Sequence, residues 1–191
     1  MKIEGDSEGV ESGVDYVDYL EGDGASWIDT GIIPDDNTQI EITCQLVGFN
    51  GYKSWFGSNY LCAGYQVQVS NLLTMLMGNG FAVGVDSDVG GYNKNIWKMD
   101  TSNTVIGTKR YIVSINEKNL IEFNPTKIMQ CTTSLKVFSA DTNAIQPLKT
   151  ENCCIKGRVF DFKLSKNNIL KMHLKPCLDT SGVPCMYDEV S

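Results

Sequence analysis

The tripeptide Asp29-Thr30-Gly31 is the segment of this 191-residue chain whose residue types most directly suggest a reaction. Asp-Thr-Gly is the active-site signature of aspartic proteases, in which two carboxylates share one proton because two like charges in contact cannot both ionise. A single-chain enzyme of this kind needs a second copy of the tripeptide. The nearest candidate lies in residues 178–183, where Ser181 interrupts the motif between Thr180 and Gly182.

A homodimer could instead supply one copy from each chain, as retroviral proteases do. Residues 31–39, with the sequence GIIPDDNTQ, do not continue in the manner of those enzymes. A three-residue match is also short enough to arise by chance. The sequence therefore argues against a protease, and the Asp29 segment needs another explanation.

Composition argues against several classes of partner. Residues 1–24 hold eight acidic side chains and one lysine, so this segment alone accounts for the net charge of −7. The remainder is neutral and has no basic stripe to neutralise phosphates, so nucleic acid is not an expected partner. No apolar run approaches the roughly 20 residues that span a bilayer, so membrane insertion is not expected. The first fifteen residues, MKIEGDSEGVESGVD, lack the basic and apolar regions of a signal peptide.

The cysteine and histidine content predicts neither zinc nor any other cofactor. The seven cysteines include no Cys-x-x-Cys pair and His173 is the only histidine, whereas zinc sites usually take four such ligands in closely spaced pairs. Cys44 has the position of a small core residue. Cys177 and Cys185 flank a turn and would bridge if oxidised, although reduced thiols are the favoured state.

Residues 85–91, VDSDVGG, match half of a calcium-binding loop, with Asp86 and Asp88 as candidate ligands. Calcium takes six to eight oxygen ligands, and Trp97 stands where such a loop has its closing acidic residue. The prediction is therefore that no metal is bound, and these two aspartates are the candidates if calcium is present.

Alternation of apolar and polar residues with a period of two dominates the chain after residue 15. In residues 38–46, TQIEITCQL, the alternate positions from Ile40 to Leu46 are apolar and are expected to face a core. Residues 110–123 and 158–176 have the pattern of β-hairpins, with turns near 116–119 and at 165–168. The second hairpin is expected to bury one apolar triplet from each arm: Phe160, Phe162 and Leu164, and Leu170, Met172 and Leu174.

The eighteen glycines separate short strands at intervals of roughly 8 to 12 residues, which is typical of antiparallel sandwiches. Residues 1–15 are rich in Gly, Ser and Glu and are expected to form an acidic flexible arm or linker. Residues 16–191 are expected to form one all-β domain, a two-sheet antiparallel sandwich.

Both ends of this region carry family-like patterns. Residues 19–42, YLEGDGASWIDTGIIPDDNTQIEI, contain a Gly turn, an aromatic residue before Ile-Asp-Thr-Gly, and an alternating strand. Residues 157–191 contain an aromatic strand, an Asn-rich turn, a strand ending at Pro and Tyr-Asp-x-Val, while residues 54–57, SWFG, fit a third strand. This combination resembles the concanavalin A-like, LamG-like jelly-roll domains of phage tail proteins and gut-bacterial surface proteins. The resemblance covers about residues 19 to 191 and is strongest at both ends.

The resemblance implies that Asp29-Thr30-Gly31 is a structural corner. Gly31 would permit a backbone turn that other residues resist, and the side chains of Asp29 and Thr30 would bond turn amides. Such domains usually continue past Tyr-Asp-x-Val into another strand, whereas this sequence stops at Ser191. An edge left open there would recruit a strand from the arm or a neighbouring subunit, so a homo-oligomer or larger assembly is expected.

Concanavalin A-like glycosidases often carry Glu-x-Asp-x-x-Glu on one strand, which places their carboxylates on one face. That motif is absent, so no catalytic residue is predicted. A glycan site needs aromatic faces beside amides or carboxylates. The candidates are Trp55, Asn59, Tyr60, Tyr65, Tyr92, Asn93 and Trp97. The favoured alternative assigns the two tryptophans to the core, and His173 is expected on a solvated polar strand face.

The resemblance implies a non-catalytic attachment module that binds a glycan or a surface protein on a phage virion or bacterial cell surface. One alternative is a purely structural module that spaces or decorates a virion or fibre. A second alternative is a glycosidase-like enzyme, which would release sugar from a substrate.

Overall fold

The computed structural model describes residues 14–48, 53–58, 61–66, 72–77, 81–85, 92–101, 111–123, 131–140 and 153–191. All regular structure in these ranges is β-strand. The ranges contain no helix of the length and apolar character that crossing a membrane requires. Residues 1–13 of the predicted arm lie outside them.

The strands follow one another closely along the chain. Their bounds are β1 (Asp15–Tyr16), β2 (Leu20–Glu21), β3 (Ile28–Asp29), β4 (Thr38–Gly48), β5 (Lys53–Gly57), β6 (Leu61–Gln66), β7 (Leu72–Met77), β8 (Phe81–Val85), β9 (Asn95–Asp100), β10 (Tyr111–Ile115), β11 (Lys118–Phe123), β12 (Lys136–Val137), β13 (Lys156–Lys166), β14 (Ile169–Leu178) and β15 (Pro184–Asp188).

These strands form two sheets, here called the long sheet and the short sheet. The long sheet has nine strands in the order β1-β14-β13-β4-β9-β10-β11, with β15 paired to β14 and β2 paired to β13. The short sheet has six strands in the order β3-β12-β5-β6-β7-β8. Every strand pair within the described ranges is antiparallel. The predicted all-β, two-sheet antiparallel architecture is confirmed.

Strand β4 shows how alternation builds the core. Ile40, Ile42, Cys44 and Leu46 are at most 3% exposed, because side chains two residues apart point to the same face of a strand. They belong to a core cluster to which the short sheet contributes Trp55, among others. Burial raises the pKa of the Cys44 thiol well above its ordinary value, as expected for a core cysteine.

Both predicted hairpin turns are confirmed. Asn167 and Asn168, between β13 and β14, have φ angles of 53° and 61°. Asn116 and Glu117, between β10 and β11, have φ angles of 49° and 67°. Two central residues with positive φ define the type I′ turn, whose twist matches that of the strands it joins.

A β-bulge in β13 changes the predicted face of one aromatic residue. Val159 lies opposite Cys44 and Asp161 lies opposite Thr43, so Phe160 is an extra residue in the ladder. Val159 and Phe162 are fully buried, whereas Phe160 is half-buried. The prediction that Phe160 shares the inner face with Phe162 was wrong, because a bulge shifts the alternation by one residue.

A second irregularity affects the other arm of the same hairpin. The register with β14 shifts between Leu164 and Ser165, close to the turn. Leu170 is consequently 40% exposed and Met172 is half-buried, while Leu174 is 4% exposed. Only the last residue of the predicted inner triplet is fully buried, since the shift places Leu170 opposite Ser165, a residue that alternates with the buried Leu164.

The strands β1 and β2 fill the space where the arms of this hairpin diverge. Tyr16 of β1 lies opposite Cys177 near the end of β14, and Leu20 of β2 lies opposite Val159 near the start of β13. Asp15 begins β1, so the sheet starts one residue before the predicted domain boundary. A gap remains between β1, β13 and β14 on the outer face of the long sheet.

Candidate functional site

The seven residues predicted to bind a glycan do not form one cluster in the described ranges. Trp55 is 0% exposed and Trp97 is 1% exposed, so both indoles are core residues. This confirms the favoured alternative, that the two tryptophans belong to the core, and removes them from the binding-site candidates, because a ring enclosed on all sides offers no face to a ligand. Tyr92 is 61% exposed, and Asn93 beside it is also exposed. Outside the described residues lie Asn59, Tyr60, the Tyr65 side chain, Asp86 and Asp88.

Asp29, Thr30 and Gly31 form a corner at the end of β3, as predicted. Gly31 has a φ of +68°, a conformation that side-chain-bearing residues rarely adopt. Its N–H donates to Asp29 Oδ1 at 3.0 Å, and the Ile32 N–H donates to Thr30 Oγ1 at 3.2 Å. The Thr30 hydroxyl donates in turn to the Leu135 carbonyl at 2.8 Å, which ties the corner to the segment before β12.

The charge environment of Asp29 does not fit protease chemistry. Its Oδ2 lies 3.4 Å from Nζ of Lys136, whose side chain is only 11% exposed. Partial burial raises the pKa of Asp29, but hydrogen bonds from Ser134 and the Gly31 amide, together with the Lys136 charge, hold the pKa below its ordinary value. A protease dyad must retain a shared proton, whereas this carboxylate is held in its ionised form.

The interrupted second motif also forms a turn. Asp179 Oδ1 accepts hydrogen bonds from the N–H groups of Ser181 and Val183, both at 2.8 Å, and Gly182 has a φ of +75°. Both Asp-Thr segments therefore use an aspartate to hold backbone amides in a turn.

A line of alternating basic and acidic side chains, here called the charge ladder, crosses the outer face of the long sheet. Its members in spatial order are Lys98, Glu41, Lys163, Asp161, His173 and Glu189. The N–O distances along it are 2.8, 3.2, 3.3, 2.7 and 2.9 Å.

Strand register places most of these residues side by side. Glu41 lies opposite Lys98 on one neighbour and opposite Lys163 on the other, and Lys163 lies opposite His173. Asp161 shares the outer face with Lys163 because the two residues flank the buried Phe162, and Asp161 contacts both Lys163 and His173. Opposite charges on directly paired residues stabilise such a sheet modestly.

Glu41 and Lys163, at the centre of the charge ladder, shift each other's pKa. Burial raises the pKa of Glu41, but hydrogen bonds from Lys98 and Lys163 outweigh that effect and lower the pKa below its ordinary value. Burial lowers the pKa of Lys163, but Glu41 and Asp161 outweigh it and raise the pKa. Both residues are therefore held in their charged forms.

His173 lies on the polar face as predicted, but it is not solvated. Its side chain is 16% exposed, with Nε2 2.7 Å from Asp161 Oδ1 and Nδ1 2.9 Å from Glu189 Oε2. The backbone N–H of His173 also donates to Asp188 at 2.9 Å. The imidazole thus links two acidic side chains, one from β13 and one that follows β15.

The gap between the arms of the hairpin forms a cleft of about 270 Å³, here called the hairpin cleft. Its wall residues are Tyr16, Val17, Phe160, Asp161, Lys175, Pro176 and Glu189. Two aromatic rings, two carboxylates and one ammonium group therefore face a single space. His173 bonds both carboxylates and is not among the residues that line the cleft.

The aromatic rings of this cleft are held by their neighbours. The Tyr16 hydroxyl donates to Glu189 Oε1 at 3.2 Å, and its ring meets the Tyr187 ring edge-on at a centroid distance of 6.3 Å. Phe160 lies 5.6 Å from the Tyr19 ring, and Lys94 Nζ lies 3.9 Å from the Phe160 centroid. Rings fixed in this way lose little side-chain entropy when a ligand contacts them.

A second cleft of about 260 Å³, here called the upper cleft, lies on the same outer face. Its wall includes Gln39, Glu41, Lys98, Asp100 and Lys163, and Leu170 is its exposed apolar residue. None of the described residues that line it is aromatic. The two clefts therefore have similar sizes and different chemistry.

Sequence reasoning missed the residues of the hairpin cleft. The usable signal was the polar face of the 158–176 hairpin, where Asp161, Lys163, His173 and Lys175 recur at alternate positions. The remaining members could not be found in this way. Tyr16 arrives from a strand more than 140 residues earlier, and Phe160 faces outward only because of the bulge.

The chain resembles known proteins in its fold and not in its sequence. No protein-family model and no curated protein sequence matches the chain. Among solved structures, the CBM40 domain of a Ruminococcus gnavus IT-sialidase, bound to α2,3-sialyllactose, is similar with a TM-score of 0.57 and 10% identity, over 81% of this chain and 92% of that one. A heptameric SAP-like pentraxin from Limulus polyphemus is similar with a TM-score of 0.50 and 11% identity, over 72% and 68% of the two chains.

Identities this low show a shared fold and no more. The protein is a two-sheet antiparallel jelly-roll sandwich of the concanavalin A-like class. This confirms the fold class that the resemblance of its two ends implies.

Proposed function

We propose that this domain is a non-catalytic attachment module that binds glycans. The observation that carries the proposal is the hairpin cleft, where Tyr16 and Phe160 share a wall with Asp161, Lys175 and Glu189. Sugar rings present C–H groups to aromatic carbon and hydroxyl groups to charged hydrogen-bonding partners. One cleft supplies both kinds of contact on a scaffold of paired strands.

Two further observations support a glycan. The jelly-roll neighbour named above carries a bound oligosaccharide. The sequence ends resemble domains of phage tail and gut-bacterial surface proteins, where attachment to a coated cell is a common task. The proposed location is accordingly a phage virion or a bacterial cell surface, and the proposed partner is a glycan or a glycan-bearing surface protein.

A glycan array tests this function. We expect the full chain to bind at least one oligosaccharide, and Phe160→Leu to weaken that binding about two- to tenfold, the loss expected for an aromatic contact. Trp27→Leu is the matched control, because Trp27 is an exposed aromatic residue that is not among the residues lining the cleft. The absence of binding to any glycan would overturn the proposal and would favour a structural module that decorates a virion or fibre.

A glycosidase-like enzyme is the second candidate, because Asp161 and Glu189 both line the hairpin cleft. Glycosidases use two carboxylates on either side of the scissile bond. Both carboxylates here already bind the same imidazole, which favours a fixed binding wall over a proton-transferring pair. A reducing-sugar release assay on array-positive glycans separates the two: turnover that Glu189→Gln abolishes would establish the enzyme.

Assembly is part of the proposal. We propose a homo-oligomer or larger assembly in which a second chain covers the outer edge of β15, since open edges recruit strands. Light scattering on the full chain and on a chain lacking residues 1–13, which keeps β1 intact, tests this. A monomeric mass for both chains would contradict it.

A further inference from the structure

The charges around the hairpin cleft point to a narrower class of ligand. We propose that the cleft selects an uncharged sugar ring and discriminates against acidic sugars such as sialylated or sulfated ones. This inference rests on the proposed glycan-binding function and assigns its site and ligand class.

The first step concerns the acceptors in the wall. Asp161 uses one oxygen for His173, at 2.7 Å, and the other for Lys163, at 3.3 Å. Glu189 uses one oxygen for His173, at 2.9 Å, and the other for the Tyr16 hydroxyl, at 3.2 Å. An ionised carboxylate has about four lone-pair sites, so each of these groups retains acceptor capacity for the hydroxyl groups of a ligand.

The second step concerns the donors in the wall. Lys175 Nζ is 3.9 Å from Glu189, and its side chain is 40% exposed, so most of its three N–H donors remain available. A sugar hydroxyl is both donor and acceptor and can therefore bridge Lys175 and a carboxylate. A ligand carboxylate or sulfate only accepts, so it could bond Lys175 but not Asp161 or Glu189.

The third step is the balance of charge. Two acidic groups and one ammonium group line the cleft, while Lys163 lies outside the wall and is shared with Glu41. An anionic ligand would meet two like charges at contact distance, and juxtaposed like charges oppose association. His173 bonds both acidic groups and is not among the residues that line the cleft, so its role is to fix the positions of the two carboxylates.

The upper cleft offers the contrasting case on the same sheet. Lys98 and Lys163 line it, with Glu41 between them, and no aromatic residue lines it in the part of the chain that the structure describes. Its exposed apolar side chain is Leu170, which offers no aromatic face for a sugar ring to pack against. The hairpin cleft is therefore the assigned glycan site, and the upper cleft supplies control residues.

The experiment uses a glycan array on which each uncharged oligosaccharide is printed beside its sialylated form. The full chain should bind the uncharged member of at least one pair about tenfold better or more. Glu189→Gln and Lys175→Met should each weaken binding of the uncharged oligosaccharide. Glu189→Gln should also reduce the preference for the uncharged oligosaccharide over its sialylated form. Asp100→Asn, in the upper cleft, should change neither the binding of the uncharged oligosaccharide nor the preference over its sialylated form. Circular dichroism melts establish that each variant is folded.

The outcomes separate this inference from the proposed function. Preferential binding of sialylated members that Lys175→Met abolishes would overturn the ligand class while glycan binding stands. Loss of binding in Asp100→Asn with no change in Glu189→Gln or Lys175→Met would overturn the choice of cleft. Binding to neither member of any pair would overturn the proposed function itself, and this inference with it.

Discussion

Phe160 and Phe162 are two residues apart on β13, and they lie on opposite faces of the long sheet. Phe162 is 0% exposed in the core, whereas Phe160 lines a solvent-facing cleft beside Lys94 and Tyr19. In a regular strand they would share one face. Because the bulge inserts one extra residue, Phe162 faces the core and Phe160 faces the cleft.

The comparison extends to the two faces of the whole sheet. The inner face is apolar and fully buried, so deleting an atom there leaves a cavity. The outer face is charged and partly solvated, so its contacts are individually weak. Burial, more than residue type, should therefore set the effect of a substitution on stability.

The largest expected effect separates the two phenylalanines. Phe162→Ala should lower the free energy of unfolding by about 3 to 5 kcal/mol, because it leaves a core cavity. Phe160→Ala should lower it by about 1 to 2 kcal/mol, through loss of contacts with Tyr19 and Lys94. Urea melts measure both values. Equal losses of unfolding free energy in the two variants would contradict the assignment of Phe160 and Phe162 to different faces.

The next effect concerns Cys177 and Cys185, which lie directly opposite each other on β14 and β15 with their Sγ atoms 3.0 Å apart. A disulfide-exchange oxidant such as oxidised glutathione should link them with loss of two hydrogen atoms from the protein. The bridge should raise the free energy of unfolding by roughly 2 to 3 kcal/mol, since it closes a short loop.

The pH dependence of that reaction has a stated sign. Burial, and then the neighbouring Cys185, raise the pKa of Cys177 to about 12, so its thiol is protonated at neutral pH. Because the thiolate is the nucleophile, the rate of bridge formation should rise with pH between about 7 and 10. Intact-mass measurement follows the reaction, and Cys177→Ser is the control that cannot form it. A rate that is flat with pH would contradict the assignment.

A smaller effect is expected at the Asp29 corner, where a half-exposed carboxylate meets a mostly buried lysine. Asp29→Asn should lower the free energy of unfolding by about 1 to 2 kcal/mol, because Lys136 loses its charged partner. Glycan binding should not change, as the corner is absent from the cleft wall. A double-mutant cycle with Lys136→Met measures the coupling. Proteolysis by the wild-type protein, blocked by an aspartic-protease inhibitor and absent in Asp29→Asn, would restore the enzyme hypothesis.

The smallest effect belongs to the exposed charge ladder. The lowered pKa of Glu41 means that its contribution is present above its unfolded pKa of about 4.3 and is lost as pH falls through the lower folded value. The raised pKa of Lys163 means that its contribution is present below about pH 10.4 and is lost as pH rises through the higher folded value. Glu41→Gln should cost under about 1 kcal/mol at pH 7 and should flatten the acid limb of a stability profile.

Thr43→Val is the matched control for that profile, since Thr43 is a neighbouring half-buried position of β4 that carries no charge. A loss of several kcal/mol in Glu41→Gln would show that the ladder contributes to folding as strongly as the core. That result would contradict the distinction between the two faces.

Much of the architecture follows from the sequence because local rules suffice for it. The alternation in β4 fixed its inner face before any partner strand was known, and the two asparagines at 167–168 fixed a turn that few other residue pairs form. The corner at Asp29 followed from a glycine at positive φ and from the short reach of its two preceding side chains.

The candidate site could not be obtained by the same rules. Composition and spacing leave Trp55 and Trp97 open to either a binding site or, as favoured, the core, and tertiary packing buries both. The cleft depends instead on a bulge that no local sequence pattern predicts. It also depends on β1, near the start of the chain, which pairs with β14 near its end. A binding site made from non-local neighbours is invisible to periodicity, because periodicity reports only which face of its own strand a residue occupies.

The sequence by itself therefore determined the strands, the turns and the side of most residues, because side-chain alternation and the conformational limits of glycine and asparagine act within a few bonds. Tertiary structure alone decided that Asp161, His173 and Glu189 are bonded to one another, and that Phe160 faces a cleft. Those contacts arise from strand register and from one inserted residue, and both are settled only when distant segments pair.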